Sequence, residues 1–228
     1  SITAAVREGR VIFDNIRKII VYLMSDSFSE IILIAGAIMI GIPLPLLAVQ
    51  ILWINLVTDG FPNLALTVEP AEADVMQRPP RKKNEPVVNG EMKMLIFIIG
   101  IVTDIGLLAL FMILLGNGYD IVHLRTVMFT ALAIDSLFYV FSVRSLRHSI
   151  FRIKLFQNKW LNIAVLAGLA VQIAAVYVPS LQSLFSTIAL SGTDWLVLIG
   201  LSLFKLVVIE ITKEIFIVMK NRKNVASA

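Results

Sequence analysis

Apolar residues fall along this chain in six blocks, at residues 19–42, 46–68, 92–115, 122–143, 160–178 and 195–218, separated by short polar or charged stretches. A helix needs about 20 mostly apolar residues to cross about 30 Å of hydrocarbon. The pattern therefore predicts an all-α membrane protein, a bundle of six transmembrane helices. An amphipathic stretch at 10–18 extends the first helix beyond the bilayer as a stalk, Pro43 and Pro45 mark a short turn into the second, and Pro179 closes the fifth. The expected organisation is a stalk at 1–18, a membrane domain at 19–218 with a polar loop at 69–91, and a basic tail at 219–228.

The loops orient the bundle. Lys and Arg gather before the first span (Arg7, Arg10, Arg17, Lys18), in the second loop (Arg78, Arg81, Lys82, Lys83, Lys93), in the fourth (Arg144, Arg147, Arg152, Lys154, Lys159) and at the C-terminal end (Lys213, Lys220, Arg222, Lys223). The first, third and fifth loops together hold only Arg125. Since cytoplasmic loops carry the excess of Lys and Arg, both termini are expected in the cytoplasm. In the second loop, three prolines between Arg78 and Pro86 favour a stiff, extended course. That stretch reads either as a positively charged spacer or as a docking strap for a cytosolic domain.

Composition sharpens the class. The chain is 58% hydrophobic and 16% charged, against about 45–50% and about 25% for soluble domains. This excludes an ordinary soluble enzyme, and the hydrophobicity excludes disorder. A net charge of +4 does not point to nucleic acid, because the basic residues cluster at the ends of apolar runs instead of along one face. With no Cys, disulfides, thiolate metal sites and a Cys nucleophile are excluded. No cleavable signal pattern opens the chain, and it begins with Ser1, which reads as processing or as a piece of a longer protein.

An ionisable residue in a membrane span is a functional hypothesis by default, because it costs about 2.5–3.5 kcal/mol at the bilayer centre on insertion scales. Here they are Asp26 and Glu30 in the first span, Asp59 in the second, Asp104 in the third, Asp135 in the fourth, and Lys205 and Glu210 in the sixth. At helical spacing Asp26, Ser27 and Glu30 approach one face, and Asn55, Thr58 and Asp59 form a second stripe on the antiparallel neighbour. Two facing oxygen-rich stripes suit a hard cation. Gly60 and Pro62 predict that the second helix unwinds there, freeing carbonyls, as discontinuous helices of transporters do. Asp135, beside Ser136, is expected to turn toward the same site. Asp104 reads as a hydrogen-bonded structural residue near the cytosolic end of its span. Lys205 and Glu210, five apart, are each expected to find a partner on another helix, and His123 and His148 to be solvated.

The run GRVIFDNIRKIIVYLMSDSFSE from Gly9, followed by LLAVQILWINLVTDGFPNLALTVEPAEADVMQRPPR, closely resembles the fifth and sixth membrane helices of type II P-type cation-transporting ATPases, the calcium-pump branch above all. The likeness is sharp over residues 9–93 and rests on hydropathy and topology beyond. It implies that Glu30, Asn55, Thr58, Asp59 and Asp135 stand at cation-ligating positions. Ser27 falls where calcium pumps place an Asn ligand, with Asp26 preceding it, and Asp135 replaces a typical Glu. These departures leave ion number and identity open, with Ca2+ expected and Na+ or H+ as alternatives.

The family's DKTGT phosphorylation motif does not occur in the sequence. The resemblance therefore implies a C-terminal membrane portion that does not hydrolyse ATP alone. ATP and Mg2+ would act through cytosolic ATPase domains, and the partners would be those domains, the preceding membrane helices and the lipid of a plasma membrane. Burial disfavours a charged carboxylate, so proton counter-transport is expected when the cation leaves. Two other readings stand beside this one: a separate six-helix subunit of a larger ATPase, and an autonomous secondary transporter or channel.

Overall fold

The computed structural model describes residues 1–80 and 86–226, and all regular structure among them is helical. Helix α1 (Ile2–Ile40) is a single 39-residue rod, so the amphipathic N-terminal stretch and the first apolar block are continuous. It stops at Gly41, which takes the left-handed conformation (φ 74°) open to glycine, and Ile42 N–H then bonds back to the carbonyl of Ala37 at 3.1 Å. Helix α2 (Ala48–Trp53), a π-helical segment (Ile54–Asp59) and α3 (Gly60–Thr67) follow one another without a break. Next come α4 (Gly90–Gly116), α5 (Ile121–Val143), a 3₁₀ turn (Ile150–Arg152), α6 (Lys159–Tyr177), a short α7 (Pro179–Phe185) and α8 (Gly192–Ala226). Side-chain caps from Asn89, Asp120 and Asn158 start α4, α5 and α6.

Among the described residues, four helices are long and apolar enough to cross a membrane: α1, α5, α6 and residues Gly192–Ile215 of α8. The apolar stretch of α4 counted in this way is Asp104–Gly116. The chain is an integral, multi-pass membrane protein, and α5 is its hub. It is buried almost throughout, packed by α1, α4, α6, α8 and the π segment, whereas α1, α6 and α8 keep broad apolar faces open to lipid or to further helices. A helix apolar on every side belongs in the middle of a bundle.

The core falls into two apolar clusters, one built around Leu33, Phe111, Phe129 and Phe185, the other around Tyr22, Leu66, Tyr139 and Leu161. Between them, at one level of the bundle, lies a polar layer: Asp26 of α1, Thr58 and Asp59 of the π segment, Asp104 of α4, Asp135 and Ser136 of α5, and Lys205 of α8, all buried. Asp104 is therefore mid-helix, which corrects its expected place near one end of the span.

At the end of the bundle that carries the N-terminus, the residues after α3 lie along α1. Arg10 donates to the carbonyls of Val75 and Arg78 at 2.9 and 2.8 Å, Asn15 to Thr67 and Glu69 at 3.2 and 2.9 Å, and Arg17 to Val87 and Pro86 at 2.7 and 3.1 Å. Lys18 pairs with Glu72 at 3.5 Å, and Asp14 with Arg78. The strap thus binds the chain's own first helix. Residues 81–85 of the proline-rich stretch and the side chains of the basic tail at 219–228 lie outside the described residues.

Candidate functional site

Packing decides which face of α1 turns inward. Its buried positions include Lys18, Tyr22, Ser25, Asp26, Ser29, Leu33 and Ala37, a stripe repeating every three or four residues. Asp26 lies on this stripe. Ser27, about 100° further round, is exposed, and Glu30 sits half-buried at the margin. Ser27 therefore does not join Asp26, contrary to the expectation that all three share one face.

On the facing rod the backbone itself is altered. Gly60 is α-helical (φ −61°, ψ −50°) and α3 is regular, so the helix is not unwound at Gly60–Pro62. The irregularity lies one turn earlier, where a π-helical turn spans Ile54–Asp59. Such turns cluster at functional sites. The wider turn rotates Thr58 and Asp59 away from Asn55, which leaves Asn55 exposed while Thr58 and Asp59 are buried. Carbonyls loosened by the π turn and by the missing N–H of Pro62 are covered by side chains. Asn55 donates to Ile51 O at 3.0 Å, Thr58 Oγ1 to Ile54 O at 2.9 Å, and the Tyr22 hydroxyl reaches Thr58 O at 3.3 Å. The freed carbonyls expected near Gly60 are accordingly not available there.

The site has two halves. In the open half, Asn55 Nδ2 donates to both Glu30 carboxylate oxygens, at 2.9 and 3.1 Å. In the buried half, the Ser136 hydroxyl lies 2.6 Å from Asp59 Oδ1 and 3.2 Å from Asp26 Oδ2, and hydrogen-bonds the Tyr22 hydroxyl. One hydroxyl carries one proton, so it satisfies one of the two acids at a time. The halves meet at a cavity of about 10 Å³, roughly the space of one water, lined by Asp26, Ser29, Glu30, Ile54, Leu132, Asp135 and Ser136. Asp135 borders this cavity, yet its carboxylate is engaged by the Lys205 ammonium. Oxygen ligands alone, several of them anionic, are a donor set for a hard cation.

Residues 43–215 match the family described as "Cation transporting ATPase, C-terminus". The chain belongs to this family. It is a C-terminal membrane region of the calcium-pump-like P-type ATPases. It is 38% identical over 206 residues to the "Calcium-transporting ATPase" of Bacillus subtilis, covering 89% of this chain and 23% of that protein. It is 37% identical over 228 residues to "Calcium-transporting ATPase 1" of Bacillus cereus, covering 93% of this chain and 26% of that protein. It is 34% identical over 215 residues to "Calcium-transporting ATPase type 2C member 1" of Pongo abelii, covering 94% of this chain and 23% of that protein. The chain thus spans about a quarter of the length of these P-type relatives.

Several residues of this ATPase region join the polar layer without standing out as candidates in the sequence. Tyr22 precedes Asp26 by one turn and shares its stripe, a signal that spacing does contain. Ser136 was legible only as a polar neighbour of Asp135. The Lys205–Asp135 pair joins positions 70 apart and has no local signal. Glu210 bonds Ser142 of α5 and the N–H of Ile150, and also Lys213 three residues along its own helix at 2.7 Å.

The histidines are not simply solvated. His123 faces Asp194 at 3.3 Å, and His148 faces Glu72 at 3.4 Å. Glu72, Asp74 and His148 bring ligand atoms within 4.8 Å of one another, but Arg78 and Lys18 already pair with these acids. Burial would raise the Glu72 carboxyl, but Lys18, Arg78 and His148 outweigh it and hold the group below its ordinary value. Asp74 is likewise held low, chiefly by its hydrogen bond from Arg78. The cluster is a salt-bridged clasp.

Proposed function

We propose that this chain is the cation-binding and translocating part of an ATP-driven pump that exports Ca2+, with protons carried back in exchange, from a cell whose plasma membrane it crosses six times with both termini in the cytoplasm. The observation that carries the reading is one small cavity bordered by Asp26 and Glu30 of α1 and Ser136 of α5, with Asn55 and Asp59 of the π-helical turn hydrogen-bonded to Glu30 and Ser136. The names of the related proteins support Ca2+ as cargo.

In this reading Glu30 and Asp59 supply most of the compensating charge, and Asn55 and Thr58 supply neutral oxygens. Glu30 and Asn55 form a gate: Asn55 holds the Glu30 carboxylate by two hydrogen bonds, and a cation entering from the open side displaces them. Ser27 belongs to the same open face, and Asp26 and Ser136 form its buried floor. ATP and Mg2+ act in cytosolic domains of the complete pump, whose movement reaches the site through the N-terminal half of α1.

The test is phosphoenzyme formation in the complete pump. Asp59→Asn and Glu30→Gln should abolish activation of phosphorylation from ATP by micromolar Ca2+, while leaving phosphorylation from inorganic phosphate, which needs no bound cargo. Unchanged Ca2+ activation in both variants refutes the assignment.

A further inference from the structure

We propose that Lys205 is a built-in counter-ion, its ammonium standing beside Asp135 where a second cargo cation would otherwise bind, so that the site carries a single divalent ion per cycle. The inference rests on the cation-site reading above and adds the number of ions and the residue that limits it.

Lys205 and Asp135 lie in the polar layer, their side chains 3% and 11% exposed, and the ammonium bonds Asp135 Oδ2 directly. The ammonium also sits 5.4 Å from the centre of the Tyr139 ring, whose hydroxyl is tied to Ser25 of α1 at 3.1 Å. Packing from α1, α5 and α8 thus fixes the Lys205 head in place. Asp26 and Asp104 face the same ammonium. Asp104, fully buried, has no hydrogen bond among the described residues, and its polar neighbours are Ser29 and Lys205. One lysine therefore bonds one acid, Asp135, and lies within electrostatic reach of three more, from α1, the π turn and α4.

The pair also forms a partition. On one side Asp135 borders the cavity shared by Asp26 and Glu30. On the other, Asp135 and Lys205 together line a second, largely apolar cavity between α4, α5 and α8. A divalent ion approaching Asp135 meets a carboxylate already neutralised and an ammonium that repels it, in surroundings that screen charge poorly. An ion held at the open half by Glu30 and Asn55 meets less of this, because the ammonium bonds Asp135 and its field reaches the Asp59 side of the site only as one of several contributions. Lys205 touches neither cargo nor those ligands, and so acts as a positioning residue through Asp135.

The experiment counts equilibrium-bound radioactive Ca2+ per phosphorylatable site in the complete membrane-embedded pump, alongside the steepness of Ca2+ activation. Wild type should bind one ion with a Hill slope near one. Lys205→Met should bind two with a steeper slope, and Lys205→Arg should return to one. Lys205→Gln, which keeps a hydrogen-bond donor, is the second neutral variant should the Met form fail to assemble. A purely structural role for Lys205 would lower the yield of pump without changing the number of ions bound. Two ions per site in wild type overturn the inference whatever the variants do. Calcium binding with an ion count indifferent to Lys205 overturns it alone and leaves the cargo reading standing. A wild-type pump that binds no calcium removes the cargo reading, and the inference with it.

Discussion

Truncating Glu69 should destabilise the bundle more than any change on its open faces. The Glu69 carboxylate is 5% exposed and accepts from Arg144 Nε and Nη2, both at 2.8 Å, on one oxygen, and from Asn158 Nδ2 at 2.7 Å on the other. Arg144 is 2% exposed and spends its remaining nitrogen on the carbonyls of Lys154 and Leu155. Asn158 in turn caps α6 and donates to Ala65 O at 2.9 Å. One carboxylate therefore joins the end of α3, the end of α5 and the start of α6.

Glu69→Ala leaves the Arg144 charge buried and unpaired, a loss of about 3–5 kcal/mol. For a chain of this size that corresponds to a fall of roughly 6–20 °C in midpoint. Glu69→Gln keeps an acceptor and should cost about half as much, since a neutral hydrogen bond is weaker than a charged one. The double variant Glu69→Leu with Arg144→Leu removes both charges and should be more stable than Glu69→Leu alone, because replacing a whole buried pair by apolar groups is often neutral. Denaturation midpoints of the wild type, Glu69→Leu, Arg144→Leu and the double variant in detergent complete the cycle. A coupling energy below about 0.5 kcal/mol, the range for independent sites, would refute this account of the cluster.

Other consequences can be measured in the same preparations. A Cβ at Gly168 would lie 2.8 Å from Leu137 Cδ2, and Leu137 is fully buried, so Gly168→Ala should cost about 1–3 kcal/mol by overpacking, read as a lower thermal midpoint. Tyr22→Phe removes the donor beside the Thr58 carbonyl, which Pro62 cannot serve, and should cost about 1–3 kcal/mol and speed hydrogen exchange across the π turn. Glu72 is held below its ordinary value of 4.5 by Lys18, Arg78 and His148 acting against burial. Its contribution to the clasp is therefore complete above that pH and lost as pH falls through the lowered value. Hydrogen exchange in residues 69–80 should stay slow down to that range and then accelerate. Lys18→Met should move the release to higher pH.

The sequence by itself determined the class and the places of the helices, and it singled out the acids from which a candidate site is built. Long apolar blocks leave the backbone one way to satisfy its hydrogen bonds in lipid, so the expected span boundaries agree with α1, α4, α5 and α6 to within a few residues wherever an apolar run meets a helix end. The intramembrane acids stand out for the same reason: their burial is costly and so seldom incidental. Spacing along one helix also brought Asp26, Glu30, Asn55, Thr58 and Asp59 into view, because periodicity is a local property.

What only the tertiary structure decided is the rotation of each helix and the pairing between distant ones. The stripe of α1 packed against α4 and α5 contains Tyr22 and Asp26 and leaves Ser27 outside, a difference of one residue that no local pattern settles. A π turn at Ile54–Asp59 redirects Thr58 and Asp59 toward α5, while Gly60 and Pro62, the conspicuous breakers, stay helical. Asp135 turns to Lys205 of α8, and Asp26 and Asp59 share Ser136 of α5. Such pairings depend on how whole helices pack, since a buried charge takes the partner that packing brings within reach, and that partner can lie 70 residues away.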